Sequence, residues 1–210
     1  IYSENEILQY IDENDVKFVK LTFCDLQGRL KNISILSSEL AVTFENGVRI
    51  AAKKISGFEA ANGKDLFLFP DAKTMMVLPW RPQQGRVIRM FCYIRYKDGS
   101  PFEGDGRYFL KKAMKAAVSA GYCFRFGTSC EFTLFRNDEN GNPTKIPHDN
   151  AGYCDTAPDD KGENIRRDVC LTLEQMGIHP VSSQHESGCG QHEIDFNASS
   201  ALKAADTFLS

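Results

Sequence analysis

The alternation of apolar and polar positions changes period several times along the chain, and each change predicts an element. Glu4 to Asn14 sets Ile7, Leu8 and Ile11 on one face at helical spacing. Val16 to Phe23 alternates instead, Asp25-Leu26-Gln27-Gly28 is a turn, and Leu30 to Ile35 returns, which predicts a hairpin. Ser37 and Ser38 precede a short helical stretch through Glu45 that ends at Asn46-Gly47. Asp65 to Phe69, Met75 to Leu78 and Arg86 to Tyr96 read as further strands. The result is a small sheet carrying one or two helices. Pro101-Phe102-Glu103-Gly104-Asp105-Gly106 then marks a boundary, so the domains expected are 1–100 and 101–210.

Past that boundary, Arg107 to Ala120 carries a Leu110, Ala113, Met114, Ala117 stripe and stops at Gly121. Tyr122 to Phe135 predicts one long strand. Phe124, Phe126, Phe132 and Leu134 share one face, while Arg125, Ser129, Glu131 and Thr133 share the other. Asn137 to Pro143 is a polar turn, and Asn164 to Gln175 is a helix closed by Gly177. Pro180 leads into a hairpin, and Ala198 to Ser210 opens a last helix. The fold class expected is α+β.

The densest chemistry lies in Gln184-His185-Glu186-Ser187-Gly188-Cys189-Gly190-Gln191-His192-Glu193-Ile194-Asp195-Phe196. A straight strand would send Glu186 and Glu193 to opposite faces. A reversal at Cys189-Gly190 would instead make them direct cross-strand partners. Like charges directly opposite destabilise a hairpin. The arrangement makes sense around a divalent cation, because hard cations recruit carboxylate oxygens. The polar face of the 122–135 strand offers Glu131 to the same cleft, and three carboxylates suit Mg2+ or Mn2+. Two solvated glutamates beside an ordinary sheet with one wet face carry the same pattern.

Composition removes several function classes. The chain has 210 residues, 42% of them apolar, enough for real cores and room for two domains. A net charge of −3 gives no nucleic-acid footprint. No apolar run is long enough to span a bilayer, so no membrane role is expected. The start, Ile1-Tyr2-Ser3-Glu4-Asn5-Glu6, has no basic stretch leading into an apolar one, so no signal peptide and a cytoplasmic location are expected. The seven cysteines are odd in number and contain no C-x-x-C. Cys24, Cys92, Cys123 and Cys170 lie in apolar segments, which predicts free buried thiols. No glycine-rich phosphate loop followed by Lys occurs. His148 and His179 are expected on loops without a role.

Further patterns lie around these residues. Pro70-Asp71, Thr74, Leu78-Pro79-Trp80, Asp98-Gly99-Ser100-Pro101-Phe102, Gly127, Cys130-Glu131-Phe132 and Leu134-Phe135 come first. Gly152-Tyr153-Cys154-Asp155, Ala157-Pro158, Arg166-Arg167-Asp168 and Leu173-Glu174-Gln175-Met176-Gly177 follow, then the 184–196 segment. Together these resemble the glutamine synthetase family, whose metal signature reads H-H-E-V-A-P-G-Q-H-E-I-D-F. The resemblance is collinear over essentially the whole chain. It implies a β-grasp N-terminal domain, followed by the first part of a catalytic domain with an antiparallel sheet and flanking helices. It implies ATP-dependent amidation of the glutamate γ-carboxylate with ammonium, Mg2+ or Mn2+ and ATP as cofactors, and a homo-oligomer. By position, Glu131, Glu186 and Glu193 would hold the metal on the glutamate side. No catalytic residue, and no nucleotide- or substrate-binding residue, is carried over.

Three departures qualify the resemblance. Ser129 stands where the family has the glutamate that ligates a second, nucleotide-side metal. Gln184 replaces the first His of H-H-E, and His185 matches the second. Ile50-Ala51-Ala52-Lys53-Lys54-Ile55 stands where the family has F-D-G-S-S-I, so Ala51 replaces an aspartate that serves ammonium in a neighbouring subunit's site. Losing that carboxylate and adding two lysines disfavours a cationic substrate. The chain ends at Ala204 to Ser210 inside an expected helix with no Gly or Pro stop, so a truncated member is expected. Three readings follow: a ligase inactive on its own, a non-catalytic relative that binds a partner such as a full-length synthetase, and a fragment of an ordinary enzyme.

Overall fold

A capping box opens the first helix, α1 (Glu4–Glu13). The Glu6 amide donates to Ser3 Oγ at 3.3 Å, and the Ser3 amide donates to Glu6 Oε2 at 2.6 Å. The structure is a computed structural model and describes residues 2–81 and 84–210. Ile1, with which the first expected domain begins, and Pro82-Gln83 lie outside the described residues. Ile7 and Ile11 bury their side chains, as the helical spacing predicts.

Next come β1 (Val16–Cys24), β2 (Leu30–Leu36), α2 (Leu40–Asn46), β3 (Val48–Ile50), β4 (Leu66–Pro70), β5 (Met76–Val77) and β6 (Arg86–Tyr96). They form a sheet of order β2-β1-β6-β4-β3, with β5 also on β6. The β1–β6 pair is parallel and the others are antiparallel. The predicted β1–β2 hairpin is present. Its turn is held by Asp25, whose Oδ1 accepts from the Gln27 amide at 3.0 Å and the Arg29 amide at 2.9 Å.

The core of this region joins Val19, Leu21 and Phe23 of β1, Leu66 and Leu68 of β4, and Ile88, Met90, Cys92 and Ile94 of β6 to Ile7, Ile11 and Leu40. Simple alternation fails on β6, where Ile88 to Cys92 are all buried. The reason is α3 (Gly106–Ser119), which packs on β6. The Arg107 guanidinium lies 5.6 Å from the Phe91 ring centre and 4.7 Å from that of Tyr93, and pairs with Asp71 at 2.8 Å. Cys92 is fully buried, and burial pushes its thiol well up. Of the other thiols expected to be buried, Cys24 and Cys170 are half-buried and Cys123 is exposed on the link after α3.

The chain divides into two compact units. One runs to Phe124 and takes in Leu209; the other comprises Arg125–Phe208 and Ser210. The second unit contains β7 (Arg125–Thr133), β8 (Phe135–Asn137), β9 (Pro143–Pro147), α4 (Glu163–Gln175), β10 (Pro180–His185), β11 (Gln191–Ser200) and α5 (Ala201–Phe208). An antiparallel sheet runs β10-β11-β7, and β8-β9 forms a separate hairpin.

Two expected elements change length. The long 122–135 strand ends at Thr133, because Leu134 turns its backbone bonds to Gly190 O and the His148 amide. The last helix begins at Ala201 rather than Ala198, because β11 stays paired with β7 through Ser200 opposite Arg125. The interior of this unit is unusually polar. Asp149, Asp160, Arg166, His185 and His192 are buried beside Met176, Ile178 and Ile194. Among the described residues no helix is long and apolar enough to cross a membrane.

Candidate metal centre

Strand pleat sorts the residues of the β10-β11-β7 sheet. Directly opposite residues in an antiparallel pair share a face. Glu131 of β7 stands opposite Glu193 of β11, and Glu193 stands opposite Gln184 of β10. One row further along, Ser129, Asp195 and Ser182 line up in the same way. This is the polar face predicted for the 122–135 segment.

The register of the hairpin differs from the expected one. Glu186 is not opposite Glu193; its amide donates to Gln191 O at 2.8 Å, two residues away from that pairing. A tight turn does fall on Cys189-Gly190, where the Gln191 amide donates to Gly188 O at 2.9 Å. Gly188 is consumed by Gln191, whose Oε1 also accepts the Gly188 amide at 3.2 Å. Ser187 and Gly188 therefore drop out of the ladder, and the register shifts by two. A shift of two keeps the face of every residue within the ladder, but Glu186 lies one residue past the end of β10, so the turn rather than the pleat sets its direction. The facing like charges are Glu131 and Glu193. Tyr153 senses both arms of the hairpin: its phenol is raised, first by Cys154, and further by the Glu186 and Glu193 carboxylates.

The donors around these carboxylates are neutral amides. Gln191 Nε2 donates to Glu131 Oε2 at 2.7 Å, and Gln184 Nε2 donates to Glu193 Oε2 at 2.7 Å. Neither bond cancels a charge. The opposed Glu131–Glu193 pair, with no neutralising side chain among these bonds, suits a hard divalent cation, although Glu131, Glu186 and Glu193 do not bring three carboxylate oxygens within 4.8 Å of one another. Asp195 is settled differently. Ser129 Oγ donates to its Oδ1 at 2.5 Å and Ser182 Oγ to its Oδ2 at 2.6 Å, and these bonds hold its carboxyl below the usual range.

The opposite face of the sheet holds what sequence reasoning missed. His185 and His192 are opposite each other, fully buried, with ring centres 4.8 Å apart. Asp149 Oδ1 accepts from His185 Nε2 at 2.9 Å and from the Gly190 amide at 3.1 Å, and Oδ2 accepts from the Lys161 amide at 2.9 Å. Burial works to raise the Asp149 carboxyl, but these bonds outweigh it and hold it at about 2. Burial likewise works against the His185 imidazolium, but Asp149 and the Glu186 carbonyl raise its pKa overall. Arg166 chelates Asp160 at 2.7 and 3.2 Å and reaches His192 Nδ1 at 2.8 Å. Arginine only donates, so Nδ1 accepts and Nε2 carries the proton. Burial, then Arg166, then His185 keep His192 below its ordinary pKa.

Asp149, His185 and His192 bring ligand-type atoms within 4.8 Å of one another. The cluster is nevertheless a hydrogen-bond network rather than a cation site. Asp149 already takes three donors, both His185 nitrogens are bonded, and a guanidinium sits on His192. A signal for it was present: each of Glu186 and Glu193 is preceded by a histidine, and period two must send that histidine to the other face.

The family model described as the glutamine synthetase catalytic domain matches residues 103–210, and that described as the glutamine synthetase beta-Grasp domain matches residues 15–97. The chain belongs to the glutamine synthetase family. It is 43% identical over 208 residues to a glutamine synthetase of Clostridium saccharobutylicum, covering 99% of this chain and 47% of that protein. It is 39% identical over 206 residues to one from Staphylococcus aureus, covering 98% of this chain and 46% of that protein. The chain thus spans about half the length of these curated relatives. A cryoEM structure of Plasmodium falciparum glutamine synthetase superposes with a TM-score of 0.83 at 21% identity, covering 100% of this chain and 47% of that one. A GmaS/ADP complex superposes at 0.81 and 22% identity, covering 96% and 46%. These two likenesses carry the α+β fold. Of the family departures, Ser129 is engaged with Asp195, while Ala51, Lys53 and Lys54 are exposed.

Proposed function

We propose that this chain is the β-grasp domain, 1–100, and the first part of the catalytic domain, 101–210, of a glutamine synthetase-type ligase, and that Glu131, Glu186 and Glu193 hold one Mg2+ or Mn2+. The observation that carries this reading is the Glu131–Glu193 pair, two carboxylates directly opposed in the ladder and bonded by neutral amides. Opposed anions lower the stability of a sheet unless a cation lies between them. Glu186 joins them from the mouth of the hairpin turn. A bound divalent ion would neutralise phosphoryl charge and orient the reactants in amidation of the glutamate γ-carboxylate by ammonium with ATP.

The chain's own residues supply one metal's worth of carboxylates. Ser129 is neutral and committed to Asp195, so it does not serve a second ion. Ala51 offers no carboxylate for ammonium. On this reading the chain alone makes no glutamine. The direct test is an electron paramagnetic resonance titration of Mn2+. The chain should quench the free-ion signal and Glu193→Gln should restore it; a signal unchanged by the parent chain sinks the assignment.

A second reading is a non-catalytic relative that binds a full-length synthetase. The surface of α4 supports it: Ile165, Val169 and Leu171 are exposed at 39%, 37% and 41%, beside a single buried residue, Arg166. Co-purification with a full-length synthetase supports this reading, and a chain that remains monomeric in its presence rejects it.

A further inference from the structure

Glu186 lies one residue beyond β10, where the strand has ended and the turn has begun. The position of its carboxylate therefore depends on what holds residues 186–190. Two backbone bonds close the turn from within, from the Glu186 amide to Gln191 O and from the Gln191 amide to Gly188 O. Both are shared with Gln191 alone. Ser187 and Cys189 are exposed, so packing adds little.

A clasp comes from outside the hairpin. We infer that Asp149, on the loop after β9, is a positioning residue for Glu186, holding the hairpin turn shut from the far side of the sheet. A single oxygen, Oδ1, takes a donor from each arm: His185 Nε2 at 2.9 Å before the turn and the Gly190 amide at 3.1 Å after it. His185 passes the constraint on, because its Nδ1 bonds the carbonyl oxygen of Glu186 itself at 2.6 Å. The other oxygen, Oδ2, accepts from the Lys161 amide at 2.9 Å, which anchors the clasp to the segment entering α4. Asp149 is 3% exposed and His185 0%, so water does not compete for these bonds. Gly190 completes the fit. Its φ is +63°, and a Cβ there would lie 2.8 Å from Leu134 O, so this position tolerates only glycine.

The inference rests on the reading of Glu131, Glu186 and Glu193 as a metal site. Removing such a partner behind a ligand costs about 10–100-fold in metal affinity. The test compares Mn2+ affinity and the resonance line shape of bound Mn2+ in four versions of this chain: parent, Glu186→Gln, Asp149→Ala and Asp149→Asn. Asp149→Ala should weaken binding about 10–100-fold and broaden the bound signal. Asp149→Asn should recover part of the affinity, because its amide oxygen still receives both arms of the turn while its Nδ2 cannot accept the Lys161 amide. Parent-like binding in Asp149→Ala, with binding lost in Glu186→Gln, overturns the clasp and leaves the metal reading standing. No binding in the parent removes the metal reading, and the clasp's role with it. If Asp149→Ala does not fold, amide exchange in the parent decides. The Gly190 amide, donated to buried Asp149, should exchange at least about tenfold more slowly than the Gly188 amide, donated to the half-buried Gln191 side chain. Equal rates overturn the clasp.

Discussion

Neutralising Glu131 should stabilise the metal-free chain and destabilise the metal-loaded one. Glu131 and Glu193 are direct cross-strand neighbours, a geometry that sets Cβ atoms about 4.5–5.5 Å apart. Two unit charges roughly 6 Å apart in a water-like dielectric repel by about 0.7 kcal/mol. That falls within the range of roughly 0.2–1 kcal/mol for cross-strand pairs. Glu131 is exposed, so the water-like value applies. Glu131→Gln keeps the oxygen that accepts from Gln191, but weakens that bond, and a single variant mixes the two effects. A double-mutant cycle with Glu193→Gln separates them. In EDTA at low ionic strength, Glu131→Gln should be more favourable by about 0.7 kcal/mol when Glu193 is charged than when it is neutral, roughly 3–6 °C in the melting of the second unit. At 1 M salt, where the screening length is about 3 Å, this coupling should vanish. With Mn2+ at a hundred times its dissociation constant, the parent gains about 2.7 kcal/mol that either single variant forfeits. The coupling then changes sign. Thermal melts followed by circular dichroism read all four chains. A coupling near zero in EDTA, or one of the same sign with and without Mn2+, refutes the reasoning.

Acid should weaken the second unit through Asp149. Its folded value of about 2 lies below the ordinary 3.8, so its contribution is complete above about pH 4 and is lost as pH falls toward 2. His185 is raised above 6.5, so its contribution is complete below that value and is lost as pH climbs through the raised one. Urea midpoints should therefore peak between these limits, and a flat acid side in the parent contradicts the Asp149 account. Gly162→Ala should cost about 1–3 kcal/mol, since a Cβ there collides with the His192 ring, which Arg166 holds in place; a melt unchanged from the parent would show that the ring can move. In the first unit, Phe58 is 1% exposed and packs edge-on against Phe102 at 5.0 Å, so Phe58→Ala should cost about 3–5 kcal/mol in denaturant titration.

The two periodicities carried most of the fold. β6 runs over Arg86–Tyr96 as the pattern predicts, and α1 begins at its capping box. The pattern was silent where tertiary contacts decide. β3 and β9 are short strands recognisable only by their partners β4 and β8. The face of Glu131 followed from counting by twos. The pairing of Glu186 did not, because the Gln191 side chain claims Gly188 and shifts the register by two, an event that no turn propensity encodes. The buried network was the hardest to read. Asp149 lies 36 residues from His185, and Arg166 lies 26 from His192, so only the folded chain brings them together.

The most direct test of the metal assignment is a calorimetric titration of Mn2+ into this chain beside Glu186→Gln. One saturable site in the parent, with affinity lost in the variant, is the predicted result. No heat of binding in the parent, or equal affinity in both chains, would contradict it.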